Sequence, residues 1–138
     1  MFLLDTNFVS ELRKVRSDKA DPSVAAWANS RNRSRALITV QEFELGVLLA
    51  ERRDPAQGGM LRTWLGGHVL PAFEGSVLPV DITAALRSAK LHVPDRRPVR
   101  DGLIAATALV HGMQVVTRNT SDFEPAGVTT LNPWSWPR

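Results

Sequence analysis

The order of apolar runs along these 138 residues predicts an α/β protein built around a mostly parallel sheet. Two observations carry that expectation. Short, wholly apolar runs alternate with stretches whose apolar residues recur at helical spacing. The apolar runs also pass straight into the helical stretches, and the first of them ends on Asp5-Thr6-Asn7 instead of a turn glycine.

The elements follow in order. Residues 1–5 read as a fully buried strand, and residues 7–16 as a short helix with Phe8, Val9 and Leu12 on one face. Asp21-Pro22 is a helix start, with Asp as N-cap and Pro at the first helical position. Residues 31–35 are polar and basic and read as a loop. Residues 36–40 form a second strand that runs directly into a helix from Gln41 to Glu51. Pro55 and the Gly58-Gly59 pair are expected to break that helix. Another follows from Met60 to Leu70, loosened by Gly66-Gly67. Residues 77–80 are a third short strand whose Pro79 suggests an edge or a strand end. Asp81 is the expected N-cap of a helix reaching about Leu91. Residues 95–98 read as a loop. A strongly apolar helix runs from about Val99 to His111, closed by Gly112. Residues 114–117 and 128–131 complete the strands before a tail rich in Pro and Trp.

Composition excludes several classes. One domain spanning residues 1–138 is expected, with a hydrophobic fraction of 43% and a charged fraction of 22%, as in soluble globular proteins. No apolar stretch is long enough to span a bilayer, and Asp5 interrupts the only apolar start, so neither a membrane span nor a signal peptide is expected. The absence of cysteine removes disulfides, thiolate metal sites and a cysteine nucleophile, and fits a cytoplasmic location. The histidines, His68, His92 and His111, show no metal-ligand spacing. The net charge of +3 is clumped, in Arg13/Lys14/Arg16, Arg31/Arg33/Arg35 and Arg96/Arg97/Arg100. Such clusters can follow a phosphate backbone or simply be solvated surface.

The acids are the informative residues. Asp5 ends the first strand, Glu42 lies in the first turn after the second, Asp101 opens the apolar helix, and Asp122 follows the fourth strand. Parallel sheets bind ligands at the carboxyl ends of their strands, so one edge can gather all of these acids. Each has a plainer reading. Thr39 and Glu42 match a capping box, Asp101 is favoured by the helix dipole, and Asp122 fits a turn. Asp5 is hardest to explain this way, because a carboxylate ending a buried strand is costly without a partner. If the acids converge, like charges ~4 Å apart repel by roughly 4 kcal/mol at an effective dielectric near 20. Either some of the carboxylates stay protonated or a divalent cation binds. An all-oxygen donor set suits Mg²⁺ or Mn²⁺, which keep several waters, one of which can attack phosphorus.

Four segments together resemble the PIN-domain ribonucleases: Leu-Leu-Asp-Thr-Asn at 3–7, Thr-Val-Gln-Glu-Phe-Glu-Leu-Gly at 39–46, Arg-Asp-Gly-Leu-Ile-Ala-Ala-Thr-Ala at 100–108 and Val-Thr-Arg-Asn-Thr-Ser-Asp-Phe at 116–123. The toxins of VapBC-type toxin–antitoxin modules, including the FitB-like branch, are the nearest in pattern. The resemblance implies an α/β/α sandwich with a central, mostly parallel sheet of four to five strands. It implies a Mg²⁺-dependent endoribonuclease in which Mn²⁺ can substitute, a homodimer, and a cognate antitoxin whose tail blocks the site. Asp5, Glu42, Asp101 and Asp122 match the family's acids, and Thr6, Thr117 and Asn119 its polar supporting positions. Many relatives carry Asn or Asp in place of Asn119. Glu44 is a decoy beside Glu42, which stands four residues before Gly46 as the family's glutamate does. The helices around 7–16 and 40–70 are candidate antitoxin contacts, with Trp64, Trp134 and Trp136 as possible anchors.

Attack by water predicts 5′-phosphate and 3′-hydroxyl ends. Three rival readings stand beside this one. An aspartyl-phosphate phosphatase would use Asp5 as nucleophile, although Asn7 stands where such enzymes usually carry a second Asp. A non-catalytic RNA-binding module of the same fold would need none of the four acids. A housekeeping RNA-processing nuclease would share the chemistry but lack an antitoxin.

Overall fold

The computed structural model describes residues 1–30, 36–93 and 99–136. The loops expected at 31–35 and 95–98, with Arg31, Arg33, Arg35, Arg96 and Arg97, lie outside the described residues, as do the side chains of Arg16, Val99 and Arg100. The strands are β1 (Phe2–Leu4), β2 (Ala36–Leu37), β3 (Gln114–Val116) and β4 (Thr130–Leu131). All pairings are parallel, in the order β2-β1-β3-β4, with Leu4 opposite Val116 and Val116 opposite Leu131. The stretch 77–80 contributes only a parallel bridge from Val77 to Ile38, at the β2 edge, so the third expected strand is not a strand. Ile38 N donates to Ser76 O and Leu78 N to Ile38 O, which makes this bridge.

The period of two along each strand divides the core. Leu4 and Val116 face one layer, with Phe8, Val9, Val24, Trp27, Phe43 and Val47. Leu3 and Val115 face the other, with Ile104, Ala105, Ala108 and Phe123. The helices are α1 (Thr6–Leu12), α2 (Pro22–Asn29), α3 (Gln41–Arg53), α4 (Pro55–Trp64), α5 (Leu70–Ala72), α6 (Ile82–Leu91), α7 (Val99–His111) and α8 (Thr120–Phe123). They cover both faces, as the mixed α/β prediction requires.

Most expected caps form. Asp21 accepts from Ser23 N and Asp81 from Ala84 N. The first helix is shorter than expected, ending at Leu12 before a separate 3₁₀ turn at Val15–Ser17. Glu11 ties its end to α2 by accepting the Asp21 N–H at 2.9 Å, and that bond holds the Glu11 carboxyl below the usual glutamate range. The larger correction concerns residues 54–60. Pro55 ends α3 but opens α4, as a proline at the first helical position does, and Asp54 caps that helix through Ala56 N and Gln57 N. Gly58 and Gly59 lie inside α4, not in a break. The Gly66-Gly67 loosening appears as a π-helical stretch at Leu65–Val69.

Candidate metal and catalytic site

The strand order places a crevice before any side chain is considered. The chain leaves β1 for β2 on one side and later returns to β3 on the other. A parallel sheet opens to ligands at such a reversal, beyond the carboxyl ends of the two strands. The residues leaving those ends are Asp5 and Thr117.

Both are buried, and they bond to each other. The Thr117 hydroxyl donates to Asp5 Oδ2 at 2.7 Å, and Asp5 Oδ1 accepts from Thr6 N at 2.8 Å, so Asp5 also caps α1. The Thr117 Oγ1 atom accepts from Asn119 N at 3.0 Å and from Asn7 Nδ2 at 3.2 Å. A hydroxyl offers one proton and two lone pairs, and here all are used. Its proton therefore has one destination, the Asp5 carboxylate. Asn7 completes the lock: its amide also reaches Asp5 Oδ2 at 3.4 Å, and its carbonyl oxygen accepts from Arg118 N at 3.3 Å.

The other acids begin helices that start at the same edge. α3 follows β2 and carries Glu42 in its first turn. α7 precedes β3, so its first turn, with Asp101, lies at the carboxyl end of the sheet. α8 follows β3 and carries an exposed Asp122 in its only turn, where Asp122 N donates to Asn119 O. Glu42 and Asp101 are half-buried. Glu42 borders a small cavity with Thr39, Val80, Leu103 and Ile104, the last two on the turn after Asp101. Gly102 of α7 faces α6 and its cap, where a Cβ would stand 3.3 Å from Ser88 Oγ and 3.0 Å from His92 Nε2. The capping box expected of Thr39 and Glu42 does not form, because Val40 occupies the N-cap. Glu44 is accounted for differently: its carboxylate takes Arg62 Nη1 at 2.6 Å, an ion pair between α3 and α4.

The donor chemistry fits a hard divalent cation. Asp5 is only 5% exposed, and its hydrogen-bond donors are a backbone N–H, a hydroxyl and an amide, all neutral. Among the described residues no Lys, Arg or His forms an ion pair with it. A carboxylate accepts at about four positions, so one remains for a ligand. Among the described residues no three acids or histidines stand close enough to enclose a metal. Mg²⁺ does not need such a cage, since it usually takes one or two carboxylates together with water and substrate phosphate.

Sequence reasoning treated Arg118 only as part of a motif and Trp134 as a possible anchor. The structure stacks them, with the Arg118 guanidinium carbon 5.5 Å from the Trp134 ring centre. Trp134 is half-buried and packs edge-on to Phe8. No spacing rule links residues so far apart; only the β3–β4 pairing brings them together.

Comparison with known proteins agrees with this architecture. Residues 2–126 match the PIN domain. The chain is 39% identical to VapC ribonuclease Y4jK of Sinorhizobium fredii over 97% of its length and 98% of that protein's. It is 38% identical to Toxin FitB of Neisseria gonorrhoeae over 97% and 99%. The solved structure of FitAB bound to IR36 DNA superimposes with a TM-score of 0.82 at 32% identity, covering 100% of this chain and 99% of that one.

Proposed function

Because this chain belongs to the PIN-domain family, we propose that it is a VapBC-type toxin, an endoribonuclease that hydrolyses RNA phosphodiester bonds with Mg²⁺ or Mn²⁺. The observation that carries the reading is the Asp5 carboxylate, buried at the β1/β3 crevice and oriented by Thr117, Thr6 and Asn7 with no cationic partner among the described residues. Asp5 and Asp101 are the proposed metal-holding pair, with Glu42 and Asp122 acting beside them directly or through water. Such a cation, when bound, neutralises the phosphate and lowers the pKa of the attacking water. The chain's own part is positional. Thr117 sets the plane of the Asp5 carboxylate, Thr6 fixes its second oxygen, and Asn119 supplies the N–H that holds Thr117 in place. The four acids would repel RNA by themselves, so arginines outside the cluster hold its backbone.

The antitoxin reading rests on a second feature. A groove of about 500 Å³ separates α1 and α2 from α4 and α5, lined by Leu12, Arg13, Trp27, Trp64, His68 and Phe73 among others. It is large and apolar enough for an amphipathic helix. α1 borders it and begins at Asp5, so a segment lying along α1 is directed toward the acids. A housekeeping nuclease would have no need of that surface. A homodimer and a cytoplasmic location complete the proposal. Among the described residues, no helix is long and apolar enough to cross a membrane.

Substituting Asp5→Asn preserves the oxygen that accepts from Thr6 N and removes the charge, but it sets an amide N–H against the Thr117 hydroxyl and the Asn7 amide, which both donate to Asp5 Oδ2. The variant is expected to fold with a lowered melting temperature, to lose RNA cleavage in Mg²⁺ beyond what its folded fraction accounts for, and to lose the stabilisation that Mn²⁺ gives the wild type. Full cleavage by Asp5→Asn removes Asp5 from the site. A 2′,3′-cyclic phosphate product from the wild type removes water as the nucleophile.

A further inference from the structure

Arg118 leaves the end of β3 one residue after Thr117, and its backbone N–H donates to Asn7, the residue whose amide touches Asp5. The backbone of Arg118 is therefore tied to the site through Asn7, at 3.3 Å. The side chain is exposed, yet it is placed. Thr117 N donates to Leu131 O at 3.0 Å, which brings the 132–136 segment against residue 118. Asn132 Oδ1 accepts from Trp134 N at 3.0 Å, and the Trp134 ring rests edge-on against Phe8, one turn after Asp5. The guanidinium lies over that ring.

This arrangement has a consequence for charge. Among the described residues no carboxylate forms an ion pair with Arg118. A guanidinium held over an aromatic face by a cation–π contact keeps its N–H donors, the fork that matches a phosphate. Stacking also restrains a side chain that otherwise loses about 2 kcal/mol of rotamer entropy when it is immobilised. Another stacked arginine, Arg13 over Trp64, lines the apolar groove instead.

We infer that Arg118, held on Trp134 beside the Asp5–Thr117 network, binds a backbone phosphate of single-stranded RNA and positions the strand against the acids. The inference rests on the ribonuclease reading. Arg118 is a substrate-positioning residue, and its charge, not its packing, does the positioning.

Arg118→Met separates the two, because methionine keeps a long unbranched cover over the Trp134 ring and removes the charge. The measurement is fluorescence anisotropy of a labelled single-stranded RNA of mixed sequence, titrated across a range of salt. It is made on the wild-type background in chelator and again on Asp5→Asn in Mg²⁺. Arg118→Met is expected to bind roughly tenfold more weakly. Its plot of log affinity against log salt is expected to be flatter by about 0.7, the contribution of one phosphate contact on a single strand. Arg118→Lys is expected to retain the slope. Wild-type affinity and slope in Arg118→Met overturn the inference, and so does weakened binding with an unchanged slope, which marks a packing role. A wild-type chain that neither binds nor cuts RNA overturns the ribonuclease reading itself, and this inference with it.

Discussion

The hydroxyl of Thr117 is the atom on which the site's geometry depends. It gives its one proton to Asp5 and takes N–H groups from Asn7 and Asn119. Thr117→Val removes that atom at nearly constant volume and leaves three polar partners unmatched beside a fully buried position. Leaving a buried polar group unsatisfied costs about 1–3 kcal/mol. We expect unfolding free energy in urea to fall by an amount in that range. We also expect RNA cleavage to fall further than the folded fraction accounts for, with Thr117→Ser restoring most of both. Cleavage at the wild-type rate in a folded Thr117→Val would show that the carboxylate needs no such alignment. Asp5 was legible in the sequence because a carboxylate ends an apolar run there, and Thr117 because it falls in a segment that resembles the family's pattern. The saturation of Thr117 was not legible, since it depends on an asparagine from the far end of the chain. Arg118 was hidden for the same reason, as its partner Trp134 reaches it only through the β4 pairing.

At the scale of elements, the helix starts at Asp21 and Asp81 were read correctly because capping is a local bond, whereas the capped start at Asp54 was not. The failure at residues 54–60 has a physical cause. Pro and Gly disfavour helix interiors, and a Pro-then-Gly-Gly stretch reads as a break. Here Pro55 takes the position where its missing N–H costs nothing, and Gly58 is required by the neighbouring helix. A Cβ on Gly58 would overlap Glu51 Cα and lie 2.6 Å from Glu51 N, whereas one on Gly59 meets nothing within 4 Å. The close approach of α3 and α4 also carries Arg62 between Glu44 and Glu51, which raises the arginine's pKa above its usual value, chiefly through the Glu44 bond. The two glycines therefore predict opposite outcomes. Gly59→Ala gains helix propensity and should stabilise the chain by about 0.5–1 kcal/mol. Gly58→Ala makes the same local gain but forces two backbones apart, and overpacking of this kind costs about 1–3 kcal/mol or more. Thermal and urea melts of the two variants check the pair. Stabilisation by Gly58→Ala would mean that α3 and α4 are not in backbone contact.

At the scale of the whole molecule, the parallel sheet and its crevice were legible from the alternation of strands and helices. The way this fold presents itself to partners was not. Periodicity assigns α3 to a helix but does not show that two of its faces are apolar. Phe43, Val47 and Ala50 are buried in the core, while Leu45, Leu48 and Leu49, at 37%, 52% and 51% exposure, form a stripe on the opposite side. A helix apolar on both sides is one that expects burial on both sides. Leucines at spacings of three and four on a solvent-facing stripe are the pattern of a helix-packing surface. The proposed occupant is a second copy of this chain, since α3 of one protomer against α3 of another is self-complementary under two-fold symmetry. Leu48 is the most exposed residue of the stripe and is none of the acid-site residues, so Leu48→Asp should act on assembly alone. The wild type is expected to elute as a dimer in size-exclusion chromatography with light scattering, and Leu48→Asp as a folded monomer with an unchanged circular-dichroism spectrum. A conservative Leu48→Met should remain dimeric, because methionine fills the same space without charge. A wild type that is monomeric at micromolar concentration would remove the dimer, and a Leu48→Asp that remains dimeric would move its interface away from α3.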